Sequence, residues 1–225
     1  MVYENIRKAR FLERPNRFIA QVELDGKKQI CHVKNTGRCK ELLVPGVEIY
    51  VQEHDNSARK TKYSLIAVQK GKRLINIDSQ APNKAAREWL EKGGLFPLTR
   101  LQPESRYHDS RLDFYLEGEG RRAFMEVKGV TLEEDGAVLF PDAPTQRGIK
   151  HLRELSGCVK EGYEAYLLFV IQMKGVSYFT PNRSTHPQFA DALAQAQAQG
   201  VQLIAMDCQV TPERMVLADF VEIKL

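Results

Sequence analysis

The hydrophobic pattern divides the chain near residue 80. Before it, apolar positions alternate with polar ones over short runs. Residues 18–24 alternate, Asp25-Gly26 is a two-residue hairpin signal, and residues 27–33 form the return strand. Residues 47–51 alternate again. Two more strand patterns, 63–69 and 73–77, flank Lys70-Gly71-Lys72. About five short strands with turn-rich joints predict a small barrel. The oligonucleotide-binding (OB) barrel is the leading candidate, and an SH3-like barrel or a plain meander fits nearly as well.

After residue 80 the period lengthens. Residues 84–92 read as a helix, with Asn83 as its cap and Gly93-Gly94 as its stop. Residues 105–130 read as a meander whose last two strands are 111–116 and 124–130. Residues 132–137 read as an acidic turn. A second helix is expected over 146–160, with Ile149, Leu152, Leu155 and Val159 as its apolar stripe. The unbroken apolar run 165–171 suits a buried strand. A helix over 186–199 and strands over 201–206 and 216–223 complete the chain. This order predicts an α/β layer of mixed sheet flanked by helices. The expected domains are therefore 1–80, a barrel, and 81–225, an α/β unit.

Charge sharpens the division. The net charge is +4, but residues 1–80 hold 16 Lys/Arg against 9 Asp/Glu, a balance of +7. Residues 81–225 hold 17 against 20, a balance of −3. A basic front half suggests a polyanionic partner, and an excess of this size favours nucleic acid only slightly over a basic surface without a partner. The four cysteines form no Cys-x-x-Cys pair and match no zinc spacing, which points to reduced thiols. No apolar run is long enough to span a membrane and no secretory signal is visible, so the expected location is the cytoplasm.

Candidate chemistry centres on the hairpin. Side chains two apart share a strand face, so Glu126 and Lys128 stand side by side. In the preceding strand Leu112, Phe114 and Leu116 share one face and Asp113 takes the other. Matching the faces across Glu117-Gly118-Glu119-Gly120 brings Asp113 to Glu126 and Lys128. Two carboxylates and an amine could hold a hard divalent cation and a water. Opposite charges across a hairpin are more often ordinary surface decoration, so the hairpin alone leaves both readings open. The loop 32–43 offers Lys34, Arg38 and Lys40 as point charges, with Asn35, Thr36 and Gly37 as turn and backbone donors. Arg14 and Arg17 form a second basic turn. Tyr50 and Tyr63 are aromatics that could stack on bases, or could be core. On the second helix Arg147 and His151 form an i, i+4 pair, and His151 by itself reads as a surface or packing residue.

Asp on one strand, Glu-x-Lys on the next, then a helix with Gln and basic residues resembles the PD-(D/E)XK nuclease superfamily. That resemblance implies Asp113 and Glu126 as metal ligands, completed by the Val127 carbonyl, with Lys128 orienting the attacking water. Glu88 and Gln146 match its accessory acid and polar helix positions. Leu112 stands where that pattern often has Pro. The runs Arg14-Pro15-Asn16-Arg17-Phe18, Asn35-Thr36-Gly37-Arg38, Glu126-Val127-Lys128, Phe140-Pro141-Asp142-Ala143 and Arg147-Gly148-Ile149-Lys150-His151-Leu152 are similar, in order, to the sugar fermentation stimulation protein A family. This implies a cytoplasmic DNA-binding protein linked to sugar (maltose) catabolism, with an N-terminal OB barrel joined to a nuclease-like domain. The DNA-binding candidates are then Arg17, Lys34, Asn35, Arg38, Lys40, Arg147 and Lys150. The expected activity is Mg²⁺- or Mn²⁺-dependent DNA cleavage at Asp113, Glu126, Lys128, Glu88 and Gln146. The alternative is a non-catalytic DNA-binding regulator on the same scaffold. A purely structural or protein-interaction module would explain neither the charged triplet nor the basic front half.

Overall fold

The computed structural model describes residues 1–35, 37–55 and 59–225. Six strands form the first unit: β1 (Ile6–Asn16), β2 (Ile19–Leu24), β3 (Lys27–Val33), β4 (Glu48–Glu53), β5 (Tyr63–Lys70) and β6 (Arg73–Asn76). The order β3-β2-β1-β4-β5 closes on itself through a parallel β3–β5 pairing, and β6 extends β5. Closure leaves the barrel strands no free edge, which is the usual solution for a short-stranded sheet. The alternating pattern does not predict β1. It carries five charged residues in eleven and buries only Ala9 and Phe11, so it holds its place by backbone pairing to β2 and β4. By contrast β5 is buried on both faces: Leu65 and Val68 pack in the larger core, while Ile66 and Ala67 join the core under the first helix.

The second unit begins with α1 (Ala81–Glu91), followed by β7 (Arg100–Tyr107), β8 (Ser110–Gly118) and β9 (Arg121–Val130). A small hairpin, β10 (Leu132–Glu134) and β11 (Ala137–Phe140), precedes α2 (Gln146–Lys160). Next come β12 (Glu164–Ile171), β13 (Tyr178–Pro181), α3 (Pro187–Ala198), β14 (Gln202–Thr211), β15 (Arg214–Phe220) and β16 (Glu222–Ile223). The main sheet runs β15-β14-β12-β9-β8-β7, with β12 parallel to both β9 and β14. β12 lies between helices on both faces, which explains its apolar sequence. The fold is thus an OB-like barrel followed by a mixed sheet flanked by helices. No helix among the described residues is long and apolar enough to cross a membrane.

Two expectations need correction here. The stretch expected as an acidic turn is the β10–β11 hairpin, and its Glu133 is buried. Glu133 accepts from Lys70 at 2.7 Å, from Arg73 at 2.6 Å and from the Gly136 N–H at 2.7 Å. The carboxylate therefore clamps the hairpin to the barrel, which the local pattern does not reveal. Asn83 is not the cap of α1, because the helix starts three residues earlier than expected, at Ala81, with Gln80 as N-cap. Pro82, pre-set for a first helical turn, favours that earlier start. Within the first 80 residues Lys34 Nζ lies 2.8 Å from Asp78, whose side chain is 1% exposed, and so ties the β3 end to the segment leading into α1. A further tie crosses between the units: Gln172 Nε2 donates to the Asn76 and Asp78 carbonyls.

Candidate functional site

The β8–β9 hairpin turns on Glu119 and Gly120, both with positive φ (51° and 75°), the geometry of a tight primed turn. Its register pairs Gly118 with Arg121 and ends at Phe114 with Met125. One step further would set Asp113 opposite Glu126. There the strands part, and the Val127 N–H donates to Asp113 Oδ2 at 2.8 Å. The carboxylate takes a bond that a strand carbonyl would otherwise take. The gap also admits Asn83 of α1, whose amide donates to Asp113 Oδ1 at 2.7 Å.

Glu126 is 3% exposed, so its charge needs partners. Lys128 Nζ donates to Glu126 Oε1 at 2.5 Å, and His151 Nδ1 contacts the same oxygen. Arg147 Nε donates to His151 Nε2 at 3.3 Å. That bond assigns the imidazole proton to Nδ1, where it points at Glu126. Burial pushes the Glu126 carboxyl up, but the hydrogen bond from His151 and the Lys128 charge outweigh it and hold its pKa below the usual value. Asp113 moves the other way. Burial and the Glu126 charge raise it, against the bonds from Val127 and Asn83 and the Lys128 charge. Two neighbouring carboxyls thus differ in proton affinity because only one has the Lys128 ammonium in contact and a hydrogen bond from His151.

The two oxygens of Glu126 are unequal. Oε1 is crowded with donors, whereas Oε2 is buried and has no hydrogen-bond partner among the described residues. An orphaned buried carboxylate oxygen beside a second carboxylate suits a hard cation. Asp113, Glu126 and the Val127 carbonyl would supply oxygen ligands of the type Mg²⁺ and Mn²⁺ accept. Among the described residues no group of three or more His, Cys, Asp or Glu side chains converges, so water or phosphate oxygens would have to complete the shell.

Other expected site residues lie elsewhere. Glu88 bonds the Met1 ammonium at 2.6 Å, and its position on α1 is turned well away from that of Asn83. Asn83, not Glu88, is the α1 side chain that reaches Asp113. Gln146 is exposed at the start of α2 and makes no side-chain hydrogen bond to the triplet among the described residues. His151, read from sequence as a surface or packing residue, is buried against Glu126; the i, i+4 pair with Arg147 was its only signal.

The basic candidates divide in the same way. Lys34 is committed to Asp78, and Asn35 turns its side chain onto the Gly37 N–H. Arg14 holds the carbonyls of Arg17, Asn35, Gly37 and Arg38, so it is a scaffold for the loop. Lys150 faces Glu154 at 3.6 Å and Arg147 holds His151. Arg17, Arg38 and Lys40 are exposed and have no acidic partner among the described residues. Thr36 lies outside the described residues. Tyr63 is core, and the Tyr50 hydroxyl is bonded to Glu48.

A cleft of about 350 Å³ runs between the units. The barrel contributes Asn35 and Gly37, and the second unit contributes Pro82, Gly129, Asp142 and Thr145. Gly129 follows Lys128 directly. A Cβ there would meet Gln172 Oε1 at 2.5 Å and Pro82 Cγ at 2.7 Å, so the wall admits only glycine without movement.

Comparison with known proteins agrees with this division. The model described as "SfsA N-terminal OB domain" matches residues 12–77, and "Sugar fermentation stimulation protein RE domain" matches residues 80–214. A sugar fermentation stimulation protein homolog of Desulfitobacterium hafniense is 61% identical over 225 residues, covering 100% of this chain and 99% of that one. Another from Clostridium beijerinckii is 55% identical over 226 residues, covering 100% of both. The solved structure of Pyrococcus furiosus SfsA in complex with Ca²⁺ matches with a TM-score of 0.90 at 27% identity, covering 100% of this chain and 98% of that one. The chain belongs to the sugar fermentation stimulation protein family.

Proposed function

We propose that this chain is a cytoplasmic DNA phosphodiesterase that works with Mg²⁺ or Mn²⁺. The observation that carries the reading is the buried, unpartnered Oε2 of Glu126 beside Asp113. The Ca²⁺ held by the Pyrococcus furiosus relative adds support for a divalent cation. A bound cation would polarise the phosphate and make its water more acidic. The chain's own groups do the rest. Asn83 and the Val127 N–H fix the Asp113 carboxylate. His151, steadied by Arg147, keeps Glu126 ionised and aimed. The Lys128 ammonium stands where charge builds on the phosphoryl oxygens as the bond breaks. The exposed cations of the barrel, Arg17, Arg38 and Lys40, hold the DNA backbone.

The test is cleavage of mixed single-stranded and duplex DNA with Mn²⁺, Mg²⁺ or EDTA. Wild type should cut only with metal. Lys128→Ala should lose about 10²–10³-fold, the usual weight of one charge-stabilising donor. Asp113→Ala should abolish cutting and leave DNA affinity in EDTA intact. Cutting retained by Asp113→Ala would overturn the assignment. A second reading is a non-catalytic DNA-binding regulator of sugar (maltose) catabolism. It is favoured by one feature: the Lys128 ammonium and the His151 N–H already engage Glu126 without a metal. Binding without cutting in any metal would select it.

A further inference from the structure

Phe18 is the one large aromatic side chain that the barrel leaves exposed among the described residues, at 46%. It does not serve the core, and the neighbouring Phe11 at 1% does. The Arg17 guanidinium lies over one side of its ring, 5.0 Å from the centroid. A cavity of about 410 Å³ beside this pair is lined by Arg14, Asn16, Arg17, Arg38 and Lys40. Gly37 belongs to the wall of this cavity and also to the wall of the cleft that reaches Gly129. Gly37 thus stands between the cavity that Arg17 lines and the cleft whose wall includes Gly129, the residue after Lys128.

This surface has the two elements that bind unpaired nucleic acid: a stacking ring and exposed cations lining one cavity. A ring can cover the face of a base only when that base is unstacked from its neighbours, which an intact duplex does not offer. Cations without the ring would serve either form. We infer that the barrel is a landing site for single-stranded DNA, in which Phe18 stacks on a base, Arg17, Arg38 and Lys40 hold the flanking phosphates, and the strand passes Gly37 into the cleft beside Lys128. This rests on the DNA-binding part of the proposed function and is independent of hydrolysis. It gives the substrate class of the site: an unpaired strand, or a duplex with an unpaired end.

The experiment is fluorescence anisotropy in EDTA, at fixed salt, with a labelled oligothymidylate and a duplex of equal length. Wild type, Phe18→Ala and Phe18→Trp are compared. Phe18→Ala should weaken single-strand binding about 5- to 150-fold, the range for loss of one base–aromatic stack. It should leave duplex binding unchanged. Phe18→Trp should restore the single-strand affinity. Phe18 is exposed, so neither variant threatens folding. Equal loss on both substrates, no loss on either, or failure of Trp to rescue would overturn the inference. Single-strand binding that depends on Phe18 without metal-dependent cutting would remove the hydrolysis and leave this site standing.

Discussion

The orphaned oxygen of Glu126 makes a thermodynamic prediction that needs no substrate. A buried acceptor without a partner costs about 1–3 kcal/mol, and a cation that coordinates it removes that cost. Ligand that binds only the folded chain stabilises it by RT ln(1 + [L]/Kd), about 2.7 kcal/mol at one hundred times Kd. For a chain of this length each kcal/mol moves the melting midpoint by roughly 2–4 °C. Mn²⁺ in that excess should therefore raise the midpoint by roughly 5–11 °C over EDTA. The rise should grow with the logarithm of concentration. In Glu126→Gln the oxygen at this position loses its charge, and in Asp113→Asn the second carboxylate goes. Each variant should lose most of the metal-induced rise. The assay is differential scanning fluorimetry across a Mn²⁺ titration, with Mg²⁺ and Ca²⁺ in parallel. If both variants show the wild-type rise, the cation binds elsewhere and the metal reading of this hairpin fails.

Three further outcomes follow from the fold. Glu133→Gln removes the charge that Lys70 and Arg73 share; because both cations are about a third exposed and can rehydrate, the loss should be about 1–2 kcal/mol by chemical denaturation, below the cost of breaking a fully buried pair. Burial raises the Glu133 carboxyl, but Lys70, the Gly136 N–H and Arg73 outweigh it and depress its pKa, so the wild-type advantage is complete above the unfolded value of about 4.3 and is lost as pH falls through the folded value. An advantage that grew on acidification would refute the clamp. Gly129→Ala drives a Cβ into Gln172 and Pro82; it should cost about 1–3 kcal/mol in the same assay, and a neutral result would mean the wall between the units yields more easily than these contacts imply. Alanine at Arg17, Arg38 or Lys40 should each lower the slope of log affinity against log salt by about 0.7 for single-stranded DNA, whereas Lys34→Ala should leave the slope alone and lower stability, because it strands buried Asp78.

Much of this molecule is legible from the chain alone, where the physics is local. Strand alternation marks β2 and β4, because side chains two apart share a face, and hairpin and turn signals mark off β3, β5 and β6. The i, i+3, i+4 stripe marks α2, and the unbroken apolar run marks β12. The hairpin register follows from matching Leu112, Phe114 and Leu116 as an inward face, and the approach of Asp113 to Glu126 and Lys128 is then a consequence of strand periodicity.

What the chain could not tell was decided by contacts between elements distant in sequence. β1 carries too few apolar residues to announce itself and exists because two neighbours pair with it. Asn83 looks like a cap, and His151 like a packing residue; only the parting of β8 and β9 and the docking of α1 and α2 bring them onto the two carboxylates. Lys34 and Arg38 look alike as basic loop residues, yet one is spent on Asp78 and the other stays exposed to solvent. Glu133 reads as part of a polar turn and is a buried clamp 60 residues from Arg73. Burial and ion pairing depend on which surfaces meet, and a local pattern carries no record of the partner.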